Sequence, residues 1–560
     1  MDMDSYLPKS VTCLRHYTMG TFIRDLVAGV TVGLVALPLA MAFSISSGLS
    51  PQAGIYCAIV TGFLISAFGG SRSQIGGPTG AFVVVVAGIV AKHGVDGLFM
   101  CTMMAGALLV FAGATGLGSM VRFIPRPVVV GFTNGIALLI ASTQIKDFFG
   151  LRIASVPGDF LGRMHVLFEH ASSFSVEATG IACGSLLLML GTLRLTRRVP
   201  PTIAALIAGT LTVAALRLPI ETIGSRFGGI PSGLPSFQVP SFRPDLILGL
   251  ISPALTVAML GAIESLMSAV VADRMSGDRH NPNVELVAQG IANIASPLFG
   301  GLPATGAIAR TATNIRSGAQ TPVAGMIHAL TLLLVLLVAA PLASYIPMAV
   351  LAAILLLVAW NMGEWREIPD LLKLSYTEIG VWLATFSLTV LADLTVAVEV
   401  GMVLASILFI RRVVQTTTVT EVTDEDVEDG RAHVLQDKEI PDYVSIFRIH
   451  GPFLFGATDK LDRVAQRIAN LPPIVVLRLR NMTAIDGTGL RAIEDLADAL
   501  HASGRTLLLC GAREQPRRLM EQAEFHAHLG RENIVENVEA ALTRARALHD
   551  GADTGRPLAS

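Results

Sequence analysis

Charged residues are scarce in this sequence. They make up 15% of its 560 residues, whereas hydrophobic residues make up 52% and the mean hydropathy is +0.61. Soluble globular proteins carry about 25% charged residues, so most of this chain must lie in lipid. Long apolar segments follow one another between Asp25 and Phe409, and the composition becomes ordinary from Thr416 onward. We therefore expect a membrane body of roughly 400 residues followed by a soluble domain of roughly 140.

Cysteines and catalytic motifs are also sparse. The five cysteines are scattered and form no metal-binding or redox spacing, so we interpret them as small apolar residues of the core or the lipid face. No short apolar segment with a cleavage site opens the chain, and we expect the first span to direct insertion. The net charge of −2 argues against a nucleic-acid partner. No nucleotide-binding Gly-rich loop and no nucleophile–base pair emerges, so we predict neither an enzyme nor a cofactor or metal site.

Fourteen apolar segments qualify as candidate membrane spans, because a helix needs about 20 residues to cross the hydrocarbon. Spans three and ten begin at Gly/Pro clusters and are too short to cross alone. The candidate spans cover residues 25–47, 52–69, 79–92, 97–117, 126–146, 176–193, 200–217, 246–272, 284–299, 306–316, 320–341, 347–362, 376–393 and 395–411.

The distribution of Lys and Arg between the loops predicts the orientation. With fourteen spans both chain ends lie on one side, and that side receives sixteen Lys and Arg residues against seven on the other. Because positively charged loops stay in the cytoplasm, we expect both termini to be cytoplasmic.

The two short spans begin with the same residue order. Gly76–Ala81 precedes the third span and Gly300–Ala307 precedes the tenth, and both contain Gly-Gly-Pro-Thr-Gly-Ala apart from single inserted residues. With seven spans in each copy, the second copy enters from the opposite side of the membrane, which is the inverted-repeat plan of secondary transporters.

A Gly/Pro break at membrane depth is tolerated only beside protein or a water-filled cavity. Each half-helix that starts at such a break directs free N–H groups and the positive end of its dipole toward it, so two opposed breaks form an anion site. Glycines that only permit close helix packing are the alternative, and the matched pair favours the site. The predicted substrate-binding residues are Gly77, Pro78, Thr79, Gly80, Ala81, Thr305, Gly306, Ala307, Ile308, Ala309 and Arg310.

Two ionisable residues lie inside predicted spans near these breaks. Glu264 lies near the middle of the eighth span, where burial favours the neutral acid, as a proton-coupling group requires. Static pairing with a neighbouring Arg, Ser or N–H group is the alternative. Arg310 follows the second break and could bind the substrate, neutralise Glu264 or only set the local potential.

The soluble part alternates strands with helices from Pro441 onward. Residues 443–449, 474–479 and 506–510 are predicted strands, whereas 461–468, 490–500 and 534–542 carry apolar residues at helical spacing. This pattern indicates a small layered α/β domain. In the loop Asp486–Gly489, Asp486 or Thr488 could cap the following helix, or the helix N-terminus could bind an anion.

These motifs together resemble the SulP sulfate-permease family of anion transporters over nearly the full chain. The resemblance rests on Pro51–Tyr56, on the break at Gly76–Gly80, on Gly261–Ser265 and on Thr305–Asn314. The family's usual aromatic residue in the first of these motifs is Ala53 here. The soluble part resembles a STAS domain (sulfate transporter and anti-sigma factor antagonist).

The resemblance implies a fold and a division of the chain. It implies a polytopic α-helical protein of fourteen spans in a 7+7 inverted repeat, with a core (spans 1–4 and 8–11) that moves like an elevator against a gate (spans 5–7 and 12–14). The expected divisions are a cytoplasmic segment 1–23, a transport domain 24–413, a linker 414–439, a STAS domain 440–550 and a flexible tail 551–560. A homodimer in the lipid of a bacterial inner membrane is also implied.

The resemblance further implies a function. It assigns substrate binding to the two breaks and cation coupling to Glu264, where a glutamate suits a proton better than sodium. The segments 144–151 and 359–362 look most like the bacterial C4-dicarboxylate branch, which predicts proton-coupled uptake of fumarate or succinate. A sulfate or bicarbonate carrier, sodium-coupled or exchanging, and an anion sensor that signals through the STAS domain to a cytoplasmic partner are the alternatives. Thr488 occupies the position that is phosphorylated in anti-sigma antagonists, so Asp486 and Thr488 form a candidate regulatory loop.

Overall fold

The structure is a computed structural model that describes residues 7–15, 17–118, 125–153, 156–195, 200–230, 233–373, 375–392, 394–422 and 440–553. The chain divides into two compact units, Met1–Ala405 and Ser406–Ser560. The first unit is helical and the second contains a sheet with helices on both faces.

The membrane body consists of helices and two short strands. Its described elements are α1 (Lys9–Leu14), α2 (Met19–Ser46), α3 (Pro51–Phe68), β1 (Gly76–Gly77), α4 (Gly80–Ala114), α5 (Arg126–Phe149), α6 (Phe160–Glu169), α7 (Val176–Leu195), α8 (Pro201–Leu216), α9 (Ile223–Phe227), α10 (Ile247–Ser276), α11 (Pro282–Leu298), β2 (Thr305–Gly306), α12 (Ile308–Arg316), α13 (Val323–Ala343), α14 (Met348–Met362), α15 (Ile368–Leu371), α16 (Tyr376–Leu391) and α17 (Leu394–Thr416).

Each of the fourteen predicted spans coincides with a helical segment in this body. The third and fourth spans form the single helix α4, in which Gly94 leaves the helical conformation (φ 71°, ψ −175°) near the predicted boundary. Eight of the described helices are long and apolar enough to cross a membrane by length and composition, and α8 and α16 are shorter apolar helices. The first span begins at Met19, so part of the predicted segment 1–23 is helical.

The two sequence repeats meet at their breaks. Strands β1 and β2 pair antiparallel, with Gly76 opposite Gly306 and Gly77 opposite Thr305. An antiparallel crossing of two copies of the same motif is the geometry expected when the second copy enters from the opposite side.

Two buried acids join the repeats further. Asp25 of α2 accepts the backbone N–H (3.2 Å) and the hydroxyl (2.5 Å) of Thr321, which precedes α13. Glu285 of α11 accepts the backbone N–H of Gly70 (2.9 Å), which follows α3. A hydrogen bond inside a protein contributes about 0.5–1.5 kcal/mol to stability. Each acid therefore stabilises a loop of the other repeat.

Charged side chains form two separate clusters near helix ends and in the loops between helices. Asp278 contacts Lys9 (3.0 Å) and Arg72 (3.2 Å), and Asp147 contacts Arg226 (2.5 Å). In the count of loop charges for fourteen spans, Lys9 and Arg72 fall on one side and Arg226 on the other, and the contacts agree with that grouping. Which side is cytoplasmic stays a prediction.

The second unit is an α/β domain. Its described elements are β3 (Thr418–Glu421), β4 (Val444–Phe453), α18 (Asp459–Ala465), β5 (Ile474–Ile485), α19 (Gly487–Ala502), β6 (Thr506–Cys510), α20 (Glu514–Gln522), α21 (Phe525–Leu529), β7 (Ile534–Val535) and α22 (Val538–Asp553). The strand order is β3-β4-β5-β6-β7, with β3 antiparallel and the other neighbours parallel.

Three predictions for this region need correction. Residues 534–542 are not one helix, because Ile534–Val535 pairs with β6 before α22 begins. The predicted linker 414–439 contains the end of α17 and the edge strand β3, and its residues 423–439 lie outside the described part. The tail predicted from residue 551 begins inside α22, which runs to Asp553. In each case tertiary pairing or helix extension overrides a weak local signal.

Candidate anion site

The helices α4 and α12 both begin at the crossing of β1 and β2. Thr79 and Ala307 precede them in extended conformations, and neither residue caps its helix with a side chain. The first N–H groups of a helix have no intrahelical acceptor, and they carry the positive end of the helix dipole. Two such ends therefore lie together in the middle of the membrane body.

Backbone and side-chain contacts hold the two breaks against each other. The N–H of Ala307 donates to the carbonyl oxygen of Ile75 (2.8 Å). The N–H of Ile75 donates to the hydroxyl of Thr311 (3.1 Å), one turn inside α12. These contacts fix the distance between the helix starts, which a preorganised binding site requires.

Helix α10 supports the second break. The hydroxyl of Ser265 accepts the N–H of Gly306 (3.0 Å) and lies 3.0 Å from the hydroxyl of Thr305. The hydroxyl of Ser268, one turn later, donates to Thr311 (3.1 Å). Serines spaced three apart lie on one helix face, so one face of α10 satisfies the N–H of Gly306 through Ser265 and supports Thr311 through Ser268.

Glu264 lies beside Ser265 and reaches the first break. Its Oε2 accepts a hydrogen bond from the hydroxyl of Thr79 at 3.1 Å, and its side chain is partly exposed to the cavity described below. A hydroxyl can donate to a carboxylate and accept from a carboxylic acid. Thr79 can therefore serve both protonation states of Glu264 without moving.

Arg310 is buried at the crossing, with a relative exposure of 3%. Its Nη2 donates to the carbonyl oxygen of Pro78, whereas its Nη1 has no hydrogen-bond partner among the described residues. A Cβ atom on Gly77 would lie only 2.5 Å from Nη1, and Gly77 has φ +146°. Glycine is therefore required there, because it leaves room for the guanidinium and adopts this backbone conformation.

Arg310 and Glu264 do not form an ion pair within the described structure. The hypothesis that Arg310 neutralises Glu264 thus rests on through-space attraction alone. Contact with the substrate stays a prediction, and the unpartnered Nη1 is the donor that could make it.

A cavity of about 330 Å³ opens in front of the two helix starts. Residues from or next to α2, α4, α5, α10, α12 and α14 line it. Its walls are mainly apolar, and the polar residues among them include Thr79, Glu264 and Arg310 at the breaks and Thr133, Asn361 and Glu364 elsewhere. A mostly apolar cavity with a few convergent polar groups is typical of a small-molecule site.

The structure separates the predicted site residues into two groups. Thr79, Gly80, Glu264 and residues 307–310 line the cavity. The remaining ones lie in or beside the crossing, where Gly77 pairs with Thr305. Their direct role in binding stays a prediction. Gly306 is required for the crossing itself, because a Cβ atom there would lie 1.9 Å from the side-chain nitrogen (Nε2) of Gln74.

Several lining residues were not predicted from the sequence. Phe43 and Phe132 are apolar walls, and Asn361, Met362 and Glu364 come from the end of α14 and the turn after it. Nothing in their local sequence separates them from ordinary span residues, although 359–362 entered the family resemblance. Their place depends on the packing of α5 and α14 around the same cavity.

In the second unit, Asp486 caps α19. Its carboxylate accepts the N–H groups of Gly489 (2.8 Å) and Phe455 (3.0 Å). The capping alternative for this loop is thus confirmed, and Asp486 also joins it to the segment after β4. Thr488 is exposed in the first turn of α19, and its phosphorylation stays a prediction.

The sulfate permease family matches residues 22–385, which contain the crossing, the cavity and both helix starts. The chain belongs to this family. A STAS domain matches residues 436–541 of this family member, in agreement with the fold of its second unit. Permeases of this family are membrane transporters of anions rather than enzymes, so the cavity belongs to a transporter.

Similar proteins match this permease over most of its length. The protein named "Putative sulfate transporter YvdB" of Bacillus subtilis (strain 168) is 41% identical over 93% of this chain and 98% of its own. The bicarbonate transporter BicA of Synechocystis sp. (strain ATCC 27184 / PCC 6803 / Kazusa) is 33% identical over 93% and 94%. The murine Solute Carrier 26 family member A9 anion transporter, solved in the inward-facing state, has 16% identity, a TM-score of 0.84 and coverage of 97% and 94%. At this identity, the similarity to the murine transporter shows a shared fold and nothing further.

Proposed function

We propose that this permease is a secondary carrier that binds a small anion in the cavity between the N-termini of α4 and α12. The observation that carries the proposal is the meeting of two helix starts without side-chain caps at one cavity wall. Each helix end attracts a negative charge and offers N–H donors to it. The substrate would replace the capping groups that Thr79 and Ala307 do not provide.

In this proposal Glu264 carries the coupling proton. It is the carboxyl group at the cavity wall that contacts the first break, through Thr79. A proton on Glu264 would remove the negative charge that repels an incoming anion, so proton and anion would bind better together than apart. The loaded cavity would then carry less net charge while it moves through the membrane.

An elevator movement would expose this cavity to each side in turn. The cavity lies between helices of the predicted core (α2, α4, α10, α12) and of the predicted gate (α5, α14). A second apolar cavity of about 510 Å³ separates α2, α3 and α13 from α8 along the same division. Loose apolar packing between the two sets supports sliding of one against the other. Assembly as a homodimer, cytoplasmic termini and an inner-membrane location are part of the same proposal.

We favour C4-dicarboxylates such as fumarate or succinate as substrates. The apolar walls formed by Phe43, Phe132, Leu260 and Met362 support an anion with a short carbon skeleton. Sulfate or bicarbonate, with sodium coupling or exchange, is the second candidate, because those anions appear in the names of the relatives. Helix dipoles attract all of these anions. The size and the apolar surface of each anion must therefore decide which one the cavity binds.

Uptake into proteoliposomes containing the purified full chain tests the proposal. An inward proton gradient should increase uptake of labelled succinate or fumarate several-fold over the rate without a gradient. Unlabelled fumarate, succinate, sulfate and bicarbonate are added in turn as competitors, and the anion that competes best identifies the substrate.

Two results would contradict separate parts of the proposal. If a sodium gradient alone drives uptake, Glu264 does not carry a proton for coupling. If no anion of the panel enters under any gradient, this chain is not a carrier of small anions, and the sensor alternative gains support.

A further inference from the structure

The α/β unit carries a group of arginines that its fold does not neutralise. Arg448 of β4 lies directly opposite Arg478 of β5 in the sheet, and Arg478 lies opposite Cys510 of β6. Neighbouring strands lie about 4.8 Å apart, so the two arginines stand side by side on one face. Like charges in opposed positions of a sheet are destabilising. Arg480 follows two positions later on β5 and adds a third positive charge.

These three side chains lack ion-pair partners in the described part of the chain. Arg448 donates its Nε to the hydroxyl of Thr420 (3.1 Å), which carries no charge. No salt bridge joins Arg478 or Arg480 to a carboxylate among the described residues, whereas Arg463 and Arg491 in the same unit are paired. Burial, together with the charges of Arg480 and Arg448, lowers the pKa of Arg478. The repulsion between these arginines does not stabilise the fold of the domain.

The arginines line a cavity of about 200 Å³ beside the start of α22. Arg478 and Arg480 line it together with Gly511, Glu536 and Asn537. The side chain of Asn537 accepts the N–H of Ala540 (2.9 Å), so α22 begins at the cavity and directs its dipole toward it. Because the 16-residue helix adds positive potential to that of the arginines, the cavity favours an anion with several acceptor oxygens.

We propose that this cavity binds a phosphate group, either free phosphate or the phosphate monoester of a small metabolite, through Arg478, Arg480 and the start of α22. Arginine forks match phosphate oxygens in pairs, and a dianion relieves the repulsion between neighbouring arginines. The carboxylate of Glu536 also lines the cavity, and its negative charge weakens the binding of phosphate. This site is separate from the membrane cavity and does not depend on the proposed transport function.

Equilibrium dialysis of the full chain in detergent against labelled inorganic phosphate tests the proposal. The variants are Arg480→Gln, whose side chain is exposed, and the double variant Arg478→Gln with Arg480→Gln. A hydrogen bond to a charged group contributes about 1.5–3 kcal/mol, so the double variant should bind phosphate at least about tenfold more weakly. Glu536→Gln should bind it several-fold more tightly, an effect that a purely structural role would not produce.

The matched control is the double variant Arg463→Gln with Arg491→Gln, which removes two exposed arginines of the same unit. Its phosphate affinity should stay within about twofold of the wild type. The proposal is overturned if Arg480→Gln and the double variant bind like the wild type, or if the control loses as much affinity as they do. Phosphate in the membrane cavity contributes equally to all these proteins and cancels in the comparison.

Competition separates the sources of the phosphate group. Displacement of the label by glycerol 3-phosphate or adenosine monophosphate indicates a small metabolite. Displacement only by vesicles that contain phosphatidate, compared with vesicles of neutral lipid, indicates a lipid headgroup and overturns the assignment to a soluble ligand.

Discussion

The hydrogen bond between Thr79 and Glu264 joins the two repeats at the wall of the cavity. Thr79 comes from the first break, and Glu264 comes from the helix that supports the second. The charge of Glu264 therefore lies next to the start of α4, where the substrate is proposed to bind. In the proposed mechanism, this single hydrogen bond would link the proton site at Glu264 to the anion site at the start of α4.

Replacement of the carboxyl group tests that contact. In Glu264→Gln the amide can still accept from Thr79 but cannot exchange a proton. We expect proton-driven uptake in proteoliposomes to fall at least about tenfold, with anion binding retained, because the neutral side chain resembles the loaded state. Glu169→Gln, an exposed change on α6, should leave uptake unchanged. Full proton-driven uptake by Glu264→Gln would remove Glu264 from the coupling mechanism.

Substitution of Gly77 by alanine tests whether close contacts at the crossing require glycine. In Gly77→Ala the new methyl group would contact Arg310, and the backbone has a φ of +146° that side chains rarely adopt. Overpacking costs about 1–3 kcal/mol, so we expect a lower thermal unfolding midpoint and a loss of anion binding. Gly88→Ala on α4 is the matched control, since no heavy atom lies within 4 Å of its Cβ position. Equal midpoints and affinities for the two variants would contradict the steric argument.

At the scale of elements, α1 is attached to the membrane body by its charged neighbours. Lys9 donates to Asp278 (3.0 Å), and Ser10 donates to the carbonyl oxygen of Ala67 (2.5 Å). Although burial opposes ionisation, the N–H of Arg279 and the charges of Lys9 and Arg72 lower the pKa of Asp278. The attachment is therefore fully present above the ordinary carboxyl pKa and is lost as the pH falls through the lowered value.

Asp278→Asn should loosen α1 at neutral pH. Burial raises the pKa of Cys13 on this helix, so its thiol reacts slowly with maleimide at pH 8. We expect labelling of Cys13, followed by peptide mass spectrometry, to become several-fold faster in the variant. Asp245→Asn, which breaks an exposed pair with Arg243, is the control. Unchanged labelling in Asp278→Asn would mean that this ion pair does not hold α1.

At the scale of the whole molecule, the chain separates into a membrane unit and an α/β unit. The division falls at Ala405 and Ser406, inside α17, and each unit has its own hydrophobic clusters. All residues of the candidate anion site lie in the first unit. The α/β unit thus contributes no residue to that site, and a regulatory role for it stays a prediction.

Removal of residues 417–560 tests this division. The truncated protein ends with α17, and we expect it to bind the transported anion within about threefold of the full-length affinity, because no cavity residue is lost. Tryptophan fluorescence or equilibrium dialysis measures the binding, and size-exclusion chromatography checks the folded state. Complete loss of binding by a folded truncated protein would contradict a regulatory role for the α/β unit.

Much of the fold was predictable from the sequence because its signals are local. Apolar length identified the helical segments, and the repeated Gly-Gly-Pro-Thr-Gly-Ala order identified the breaks before any contact was known. Segments with weak local signals were predicted less well. The edge strand β3 and the short strand β7 depend on pairing with a neighbour, and residues 534–542 alone also suit a helix.

Sequence alone therefore determined the membrane body, the inverted repeat and the two opposed breaks that begin at Gly76 and Gly300, since hydropathy, glycine and proline act through the local backbone. Only the tertiary structure decided what surrounds those breaks. It placed Arg310 on the carbonyl oxygen of Pro78, Glu264 on Thr79, and Phe132 in the wall of the same cavity. Each of these contacts joins residues far apart in the chain, and the packing of whole helices sets them.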